Sequence, residues 1–183
     1  MRVISGTLKG RRLICPPGLA TRPTADRTKE SVFNILSGRF RDRRVLDLFA
    51  GTGALGIEAL SRGAAFAVFI DQAKAAMDAI HRNILALGLE DRSRVIRWNI
   101  RKNLNCLRST QPFDLVFMDP PYTTDAVAPV LASLTACGAL CPGARIVIEH
   151  SDRERILLPM DTLILADQRQ FGKTLVSFVD AML

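Results

Sequence analysis

Apolar residues recur along the chain as short runs, separated by longer stretches with helical periodicity. Five runs after residue 43 predict buried strands: 45–49 (VLDLF), 65–70 (AFAVFI), 93–98 (SRVIRW), 113–118 (FDLVFM) and 144–149 (ARIVIE). The stretches between them predict helices over 54–62, 72–88, a short basic segment near residue 103, and 125–138. Because strands that alternate with helices indicate βαβ units, we expect an α/β fold with a doubly wound, mostly parallel sheet.

The last thirty residues have a different pattern. Two strand-like runs, 158–170 and 173–181, flank Phe171-Gly172. Consecutive strands joined by so short a turn pair antiparallel, so we expect a hairpin at the edge of the sheet.

The first forty-three residues are also distinct. Val3 and Ile4 can lie opposite Leu13 and Ile14 across a Gly/Lys turn, which predicts a basic β-hairpin. Prolines exclude a helix immediately afterwards, and Thr24 or Asp26 can cap a helix that Gly38 ends. We expect residues 1–43 to form an extension of a domain over 44–183, and the two to fold as one unit.

Composition describes a single soluble domain, with 183 residues, 48% of them hydrophobic and 23% charged. The chain has neither a membrane-spanning apolar stretch nor a signal-peptide pattern, so we expect a cytoplasmic protein. No long apolar surface pattern calls for a dimer, so we expect a monomer. The net charge of +7 is concentrated at one end: residues 1–44 carry eleven Lys and Arg against three Asp and Glu. A basic segment joined to a near-neutral domain favours a nucleic-acid partner over a merely solvated surface.

No metal site is expected. The cysteines and histidines are scattered and form no C-x-x-C or other cluster of ligands: Cys15, Cys106, Cys137, Cys141, His81 and His150. Free thiols are the simpler interpretation.

Residues 47–56 (DLFAGTGALG) suggest a ligand-binding loop. They contain a G-x-G-x-x-G pattern, formed by Gly51, Gly53 and Gly56. After a strand, this pattern is typical of loops that bind a dinucleotide pyrophosphate. Asp47 disfavours that anion, since like charges about 4 Å apart repel by about 1 kcal/mol even in water. The same carboxylate would attract the ammonium and sulfonium of S-adenosylmethionine, whereas Asp71 suits a ribose diol in either cofactor.

The run 113–118 leads directly into Asp119-Pro120-Pro121-Tyr122. Two prolines remove backbone donors and leave carbonyl acceptors, to which Asp119 adds a carboxylate and Tyr122 a flat ring. Two acceptors and a stacking surface suit a planar base with an exocyclic amine. By holding both amino hydrogens, they would direct the nitrogen lone pair at a methyl donor, and Asp119 would take the proton late. The plainer alternative is a rigid turn with a surface tyrosine.

DPPY in this position resembles the (D/N/S)-PP-(Y/F/W) motif of methyltransferases that act on exocyclic amino groups. Four further segments resemble one bacterial family, the RsmD-type 16S rRNA guanine-N2-methyltransferases: 2–13 (RVISGTLKGRRL), 22–36 (RPTADRTKESVFNIL), 47–64 (DLFAGTGALGIEALSRGA) and 171–174 (FGKT). The resemblance spans nearly the whole chain. It implies a class I methyltransferase fold, with a Rossmann-like seven-stranded sheet whose last strand is antiparallel.

The resemblance also implies an activity: methyl transfer from S-adenosylmethionine to N2 of one guanine, of the guanine-966 type, in 16S rRNA. The substrate would be the 30S subunit or its assembly intermediate. Carried over by position, the base would be held by Asp119, Pro120, Pro121 and Tyr122. The cofactor would be held by Asp47, Phe49, Gly51, Gly53, Gly56, Asp71, Gln72, Asn99 and Ile100. The RNA would be contacted by Arg2, Lys9, Arg11, Arg12, Arg22, Thr24 and Arg27.

Two residues depart from the family pattern. Asn99 stands where an aspartate usually contacts the adenine amine, although its carbonyl still accepts that hydrogen bond. Phe171 replaces a common tyrosine. Three other functions remain open from sequence: a DNA adenine-N6 or cytosine-N4 methyltransferase, a nicotinamide-dependent oxidoreductase, and a non-catalytic RNA-binding module.

Overall fold

The computed structural model describes residues 1–16, 23–121, 126–154, 156, 158 and 161–182, with the backbone alone over 23–27. Seven strands form one sheet in this part of the chain: β1 Arg44–Leu48, β2 Phe66–Asp71, β3 Ser93–Arg97, β4 Phe113–Met118, β5 Leu140–Ser151, β6 Leu163–Phe171 and β7 Thr174–Ala181. Four α-helices accompany them: α1 Pro23–Ile35, α2 Ala54–Ser61, α3 Lys74–Leu87 and α4 Val127–Ala136. Single 3₁₀ turns occupy Glu90–Arg92 and Asn105–Leu107.

The strand order is β3-β2-β1-β4-β5-β7-β6. Strands β1 to β5 are parallel, whereas β7 runs antiparallel to both β5 and β6. The predicted doubly wound sheet with an antiparallel last strand is therefore confirmed. The order of the strands reverses between β1 and β4, and open α/β sheets bind ligands beyond the carboxyl ends of such a strand pair.

Alternate side chains of each strand enter different hydrophobic clusters on the two faces of the sheet. On one face, Val45 and Phe117 pack with α1, α2, α3 and the N-terminal residues. On the other face, Leu46 and Met118 pack with α4 and the segment around Leu104. Because helices and connecting segments cover both faces of the sheet, nearly all side chains of the central strands are buried and apolar.

The short basic helix predicted near residue 103 is wrong. Residues 99–110 form turns and one 3₁₀ turn, in which Trp98 Nε1 donates to Asn103 O at 2.9 Å and Lys102 N donates to Asn99 O at 3.1 Å. Leu104 and Leu107 are buried against the sheet at a spacing that one 3₁₀ turn satisfies, so a longer helix is not required.

The N-terminal segment forms an antiparallel turn as predicted, with one bridge between Arg2 and Arg12. The predicted register, with Val3 and Ile4 opposite Leu13 and Ile14, is wrong, because Val3 N donates to Arg11 O at 2.9 Å and Leu13 N donates to Met1 O at 3.1 Å. The backbone amides of Ile4 and Ser5, which would continue a strand, instead donate to the Glu58 carboxylate of α2. We call residues 1–14 the N-terminal hairpin below. None of the described helices is long and apolar enough to cross a membrane.

Candidate active site

The loop after β1 reverses the chain within five residues. Phe49, Gly51 and Gly53 adopt left-handed φ angles of 57°, 57° and 75°, which glycine tolerates and phenylalanine adopts at a cost of about 1 kcal/mol. A Cβ atom at Gly51 would meet only the Phe49 carbonyl oxygen, at 3.9 Å. The backbone of Gly51 is thus open to close approach by a ligand.

Asp71, at the end of β2, fixes this loop. Its Oδ2 accepts a hydrogen bond from Gly51 N at 3.0 Å, and its Oδ1 accepts one from Ala73 N at 2.9 Å. The loop is also joined to β2 by Ala50 N, which donates to Ile70 O at 3.1 Å. Each carboxylate oxygen keeps a further lone pair, so Asp71 is able to accept hydroxyl hydrogens while it holds the loop.

Asp47 lies almost completely buried under the same loop. Its Oδ2 accepts a hydrogen bond from Gly56 N, in the first turn of α2, at 2.9 Å. Burial raises the pKa of Asp47 well above its usual value; the Gly56 hydrogen bond opposes this, and the negative charges of Asp119 and Asp71 add to it. An additional anion here would be strongly disfavoured and a cation favoured, which supports the sequence argument about charge.

Gly56 serves helix packing in this structure. A Cβ atom there would lie 2.4 Å from Cε1 of Phe69 and 3.2 Å from Oδ2 of Asp47. Glycine therefore allows α2 to approach β2 closely, which is the role of the third glycine in this pattern. Gly53 is buried at the start of α2, so of the three predicted glycines Gly51 is the one whose backbone faces open space.

Asp119 follows β4, next to β1 in the sheet, and this brings Asp119 and Pro120 beside the glycine loop. Pro120 is buried, whereas Asp119 and Pro121 are exposed; Tyr122 is outside the described residues. Desolvation by the surrounding protein, together with the charge of Glu149, raises the pKa of Asp119 to about 8. Asp119 is exposed to water, which screens part of this effect. The raised pKa makes the Asp119 carboxylate a stronger base than an ordinary aspartate.

The remaining predicted cofactor residues lie beyond β2 and β3. Gln72 and Asn99 are exposed, and Ile100 is buried. Arg97 Nε donates to Gln72 O at 3.1 Å, and Trp98 N donates to Asp71 O at 3.0 Å, which ties the two strand ends together. These residues therefore share the carboxyl edge of the sheet with Asp47, Asp71 and Asp119.

The predicted RNA-binding residues have different surroundings. Arg2, Lys9, Arg11 and Arg12 are exposed on the N-terminal hairpin. Arg11 Nη2 also donates to Ala86 O near the end of α3, at 2.8 Å, so this guanidinium holds the hairpin in place as well. Thr24 and Arg27 belong to α1, where the backbone alone is described, and Arg22 is outside the described residues.

Sequence reasoning missed the residue that attaches the N-terminal hairpin. Glu58, fully buried in α2, accepts hydrogen bonds from Ile4 N at 2.7 Å and Ser5 N at 2.9 Å. It also pairs with Arg62 at 2.9 Å and with Lys29 at 3.6 Å. A single glutamate within the apolar stretch 54–60 was the signal for this role, because a buried carboxylate requires partners.

The N-terminal hairpin is also joined to the glycine loop. Asn83 of α3 accepts a hydrogen bond from Ile14 N at 2.7 Å and donates to Thr52 O at 3.0 Å. Thr52 Oγ1 donates to the Met1 sulfur at 3.4 Å. The basic surface and the candidate cofactor loop are therefore parts of one hydrogen-bonded assembly.

Other sites are less suited to a ligand. Among the described residues, no group of three or more His, Cys, Asp or Glu is arranged to hold a metal ion. A cavity of about 120 Å³ lies at the opposite edge of the sheet, lined by Arg43, Asp114 and Arg145 among others. Two of its arginines are already paired, Arg43 with Asp114 at 2.8 Å and Arg145 with Asp180 at 2.6 Å.

Comparison with known proteins agrees with this geometry. A family model described as conserved hypothetical protein 95 matches residues 1–180. The protein named ribosomal RNA small subunit methyltransferase D from Escherichia coli K12 is 36% identical over 149 residues, covering 81% of this chain and 74% of its own. The chain belongs to this methyltransferase D family.

Other relatives of the methyltransferase D family support the assignment. The putative rRNA methyltransferase YlbH of Bacillus subtilis is 36% identical over 175 residues, 95% of each chain. The solved structure of putative methyltransferase yhhF from E. coli has a TM-score of 0.86 at 32% identity, over 99% of this chain and 97% of that one. The family and the class I methyltransferase fold predicted from sequence are thus confirmed.

A more distant structure shares the fold alone. The putative methyltransferase SMU.776, solved in complex with SAH, has a TM-score of 0.68 at 15% identity, over 87% of this chain and 50% of that one.

Proposed function

We propose that this protein transfers a methyl group from S-adenosylmethionine to the exocyclic N2 of one guanine in 16S rRNA, in the small ribosomal subunit or an assembly intermediate. The observation that carries the proposal is the position of Asp119-Pro120, directly beside an acidic glycine loop at the point where strand order reverses. Relatives named as small-subunit rRNA methyltransferases support the rRNA substrate.

The residues present fit the cofactor. Asp47, Asp71 and Asp119 place three carboxyl groups at the carboxyl edge, and the raised pKa values of Asp47 and Asp119 mark a site that disfavours further negative charge, where the ammonium and sulfonium of S-adenosylmethionine would be stabilised. Gly51 lets the ligand approach the backbone, and Asp71 would accept hydrogen bonds from the ribose hydroxyls. Gln72, Asn99 and Ile100 would surround the adenine. When bound, S-adenosylmethionine supplies an electrophilic methyl group on a positively charged sulfur.

The DPPY segment would hold the guanine. Its acceptors take the two hydrogens of N2, so the nitrogen lone pair points at the methyl carbon. S-adenosylmethionine would supply the methyl carbon for the new carbon–nitrogen bond, and its sulfur would keep the electron pair of the carbon–sulfur bond that is lost. The methylated nitrogen releases one proton, which the Asp119 carboxylate accepts.

Labelled S-adenosylmethionine tests this proposal directly. Incubation with 16S rRNA, or with 30S particles that lack the modification, is expected to yield N2-methylguanosine in a nucleoside digest analysed by mass spectrometry. Label in N6-methyladenine or N4-methylcytosine of duplex DNA would instead identify a DNA methyltransferase. Calorimetry that detects NAD binding and no S-adenosylmethionine binding would favour an oxidoreductase.

The N-terminal hairpin would position the RNA through its phosphates, as part of an RNA-facing extension over residues 1–43. Exposed Lys9 and Arg12 belong to a segment anchored to the cofactor loop through Thr52, so phosphates bound there lie at a fixed place relative to the site. Since its substrate is ribosomal RNA, we infer that the enzyme acts in the cytoplasm.

The double variant Lys9→Gln/Arg12→Gln is expected to weaken binding of 16S rRNA and to reduce the slope of log affinity against log salt by about 1 per lost phosphate contact. Affinity is measured at several salt concentrations. Arg94→Gln/Arg108→Gln is the matched control, because both arginines are exposed and lie outside residues 1–43, in β3 and directly after the 3₁₀ turn that precedes β4. Equal slopes for the double variant and the control would contradict an RNA-binding role for the N-terminal hairpin.

A further inference from the structure

A second carboxylate lies beside Asp119. In the parallel pair β4 and β5, Met118 is opposite Ile148, so the next positions along the two strands are Asp119 and Glu149. Glu149 is partly buried. The two residues therefore occupy adjacent places at the carboxyl edge of the sheet.

Side-chain alternation directs both carboxylates to the same face. Phe117 and Val147 enter the cluster that contains α1 and α2, whereas Met118 and Ile148 enter the cluster on the other face. Strand side chains repeat every second residue, so Asp119 and Glu149 continue on the α1 side. His150 lies on the other face, where its Nε2 is 2.9 Å from Ser177 Oγ.

We propose that Glu149 is a positioning residue: through its negative charge next to Asp119, it keeps that carboxylate basic enough to accept the proton of the methylated amine. The inference rests on the proposed function, because it assigns a role within that reaction. Glu149 is the last residue of the apolar run 144–149, which the sequence predicts only as a buried strand.

The charges around the pair are consistent with this role. Carboxylates act on one another here: the charges of Asp119 and Asp71 raise the pKa of Asp47 beyond the effect of its burial, and the charge of Glu149 adds to desolvation at Asp119. Lys29 of α1 is the basic group on the same side of the sheet; it donates to Arg2 O at 2.7 Å and pairs with Glu58 at 3.6 Å. From β7, Glu149 is opposite the apolar Val176.

The chemistry requires such an acceptor. An ordinary aspartate, with a pKa near 4, is a weak base at neutral pH, and general bases work best when their pKa is close to the working pH. Desolvation by the protein raises the pKa of Asp119, and the like charge of Glu149 at the adjacent position raises it further. In the reaction, N2 loses one proton and Asp119 gains it; Glu149 changes only the affinity for that proton.

Glu149→Gln tests the inference by two measurements. In the protein without cofactor, the Asp119 side-chain carbon is followed by NMR against pH, and its midpoint is expected to fall by roughly one pH unit. In methyl transfer, the acidic limb of kcat/KM against pH is expected to move down by a similar amount, and the plateau rate to fall several-fold. Glu149→Asp, which keeps the charge, is expected to stay close to the wild type in both.

Glu90→Gln is the control for loss of one negative charge, since Glu90 is exposed in the 3₁₀ turn before β3 and distant from β4 and β5 in the sheet. Unchanged NMR midpoint and acidic limb in Glu149→Gln would overturn the inference while leaving the proposed function intact. If wild-type protein yields no N2-methylguanosine, the proposed function fails instead, and a shifted NMR midpoint alone would then establish only the coupling of the two carboxylates.

Discussion

Asp119→Asn is expected to reduce methyl transfer by roughly 10²–10⁴-fold and to leave S-adenosylmethionine binding within a small factor of the wild type. The amide keeps the shape and one carbonyl acceptor, but it cannot accept the proton and its amino group opposes the amine of the substrate. Turnover is measured under single-turnover conditions, and cofactor binding by calorimetry. Wild-type turnover in this variant would remove Asp119 from the mechanism.

Asp119→Asn is also expected to change how the stability of the folded protein depends on pH. The folded-state pKa of Asp119 is raised to about 8, so the native protein holds a proton that the unfolded chain has already released. The contribution of Asp119 is present below about pH 4 and is lost as pH rises through about 8. The difference in Tm between Asp119→Asn and wild type is therefore expected to shift in favour of the variant between about pH 5 and about pH 8.5.

Glu58→Ala is expected to lower the free energy of unfolding by about 3–5 kcal/mol. The substitution leaves the amides of Ile4 and Ser5 without their acceptor, and it removes the buried carboxylate that pairs with Lys29 and Arg62. Denaturant unfolding measures the loss. Glu58→Gln, which keeps one carbonyl acceptor, is expected to fall between Glu58→Ala and wild type.

Asp78→Ala provides the comparison for Glu58→Ala. Asp78 pairs with Lys74 on the exposed side of α3, and this pair holds the pKa of Asp78 below its usual value. Exposed pairs contribute little, so unfolding should be nearly unchanged. Similar midpoints for Glu58→Ala and Asp78→Ala would show that Glu58 does not anchor the N-terminal hairpin.

The periodic apolar pattern was sufficient to predict the sheet because its central strands are buried on both faces. Runs such as 65–70 and 113–118 have no alternative placement in a domain of this size, and β2 and β4 occupy them. The pattern failed where burial is intermittent. Around residue 103, two buried leucines three residues apart satisfy a single 3₁₀ turn as well as they satisfy a helix.

The sequence predicted which residues belong to the candidate site better than it predicted the contacts that they make. Asp47 lies near the carboxyl end of β1, Asp71 ends β2 and Asp119 follows β4, so parallel strands bring the three to one edge. The glycine spacing predicts the close approach of α2 to the sheet, but it does not predict that the Asp47 carboxylate accepts a hydrogen bond from the Gly56 amide. Glu149 was hidden for a similar reason: its partner is adjacent across the sheet and thirty positions away along the chain.

The way the N-terminal hairpin is attached also constrains the order in which the chain folds. Its anchoring partners Glu58, Ser61 and Asn83 lie 53 to 69 residues downstream. A growing chain exposes the basic hairpin first, yet cannot fix it until α2 and α3 have formed. Contacts of such sequence separation are slow to form, since loop closure precedes their stabilisation. During synthesis, the N-terminal hairpin therefore becomes ordered only after α2 and α3 have formed, although its residues are the first to be made.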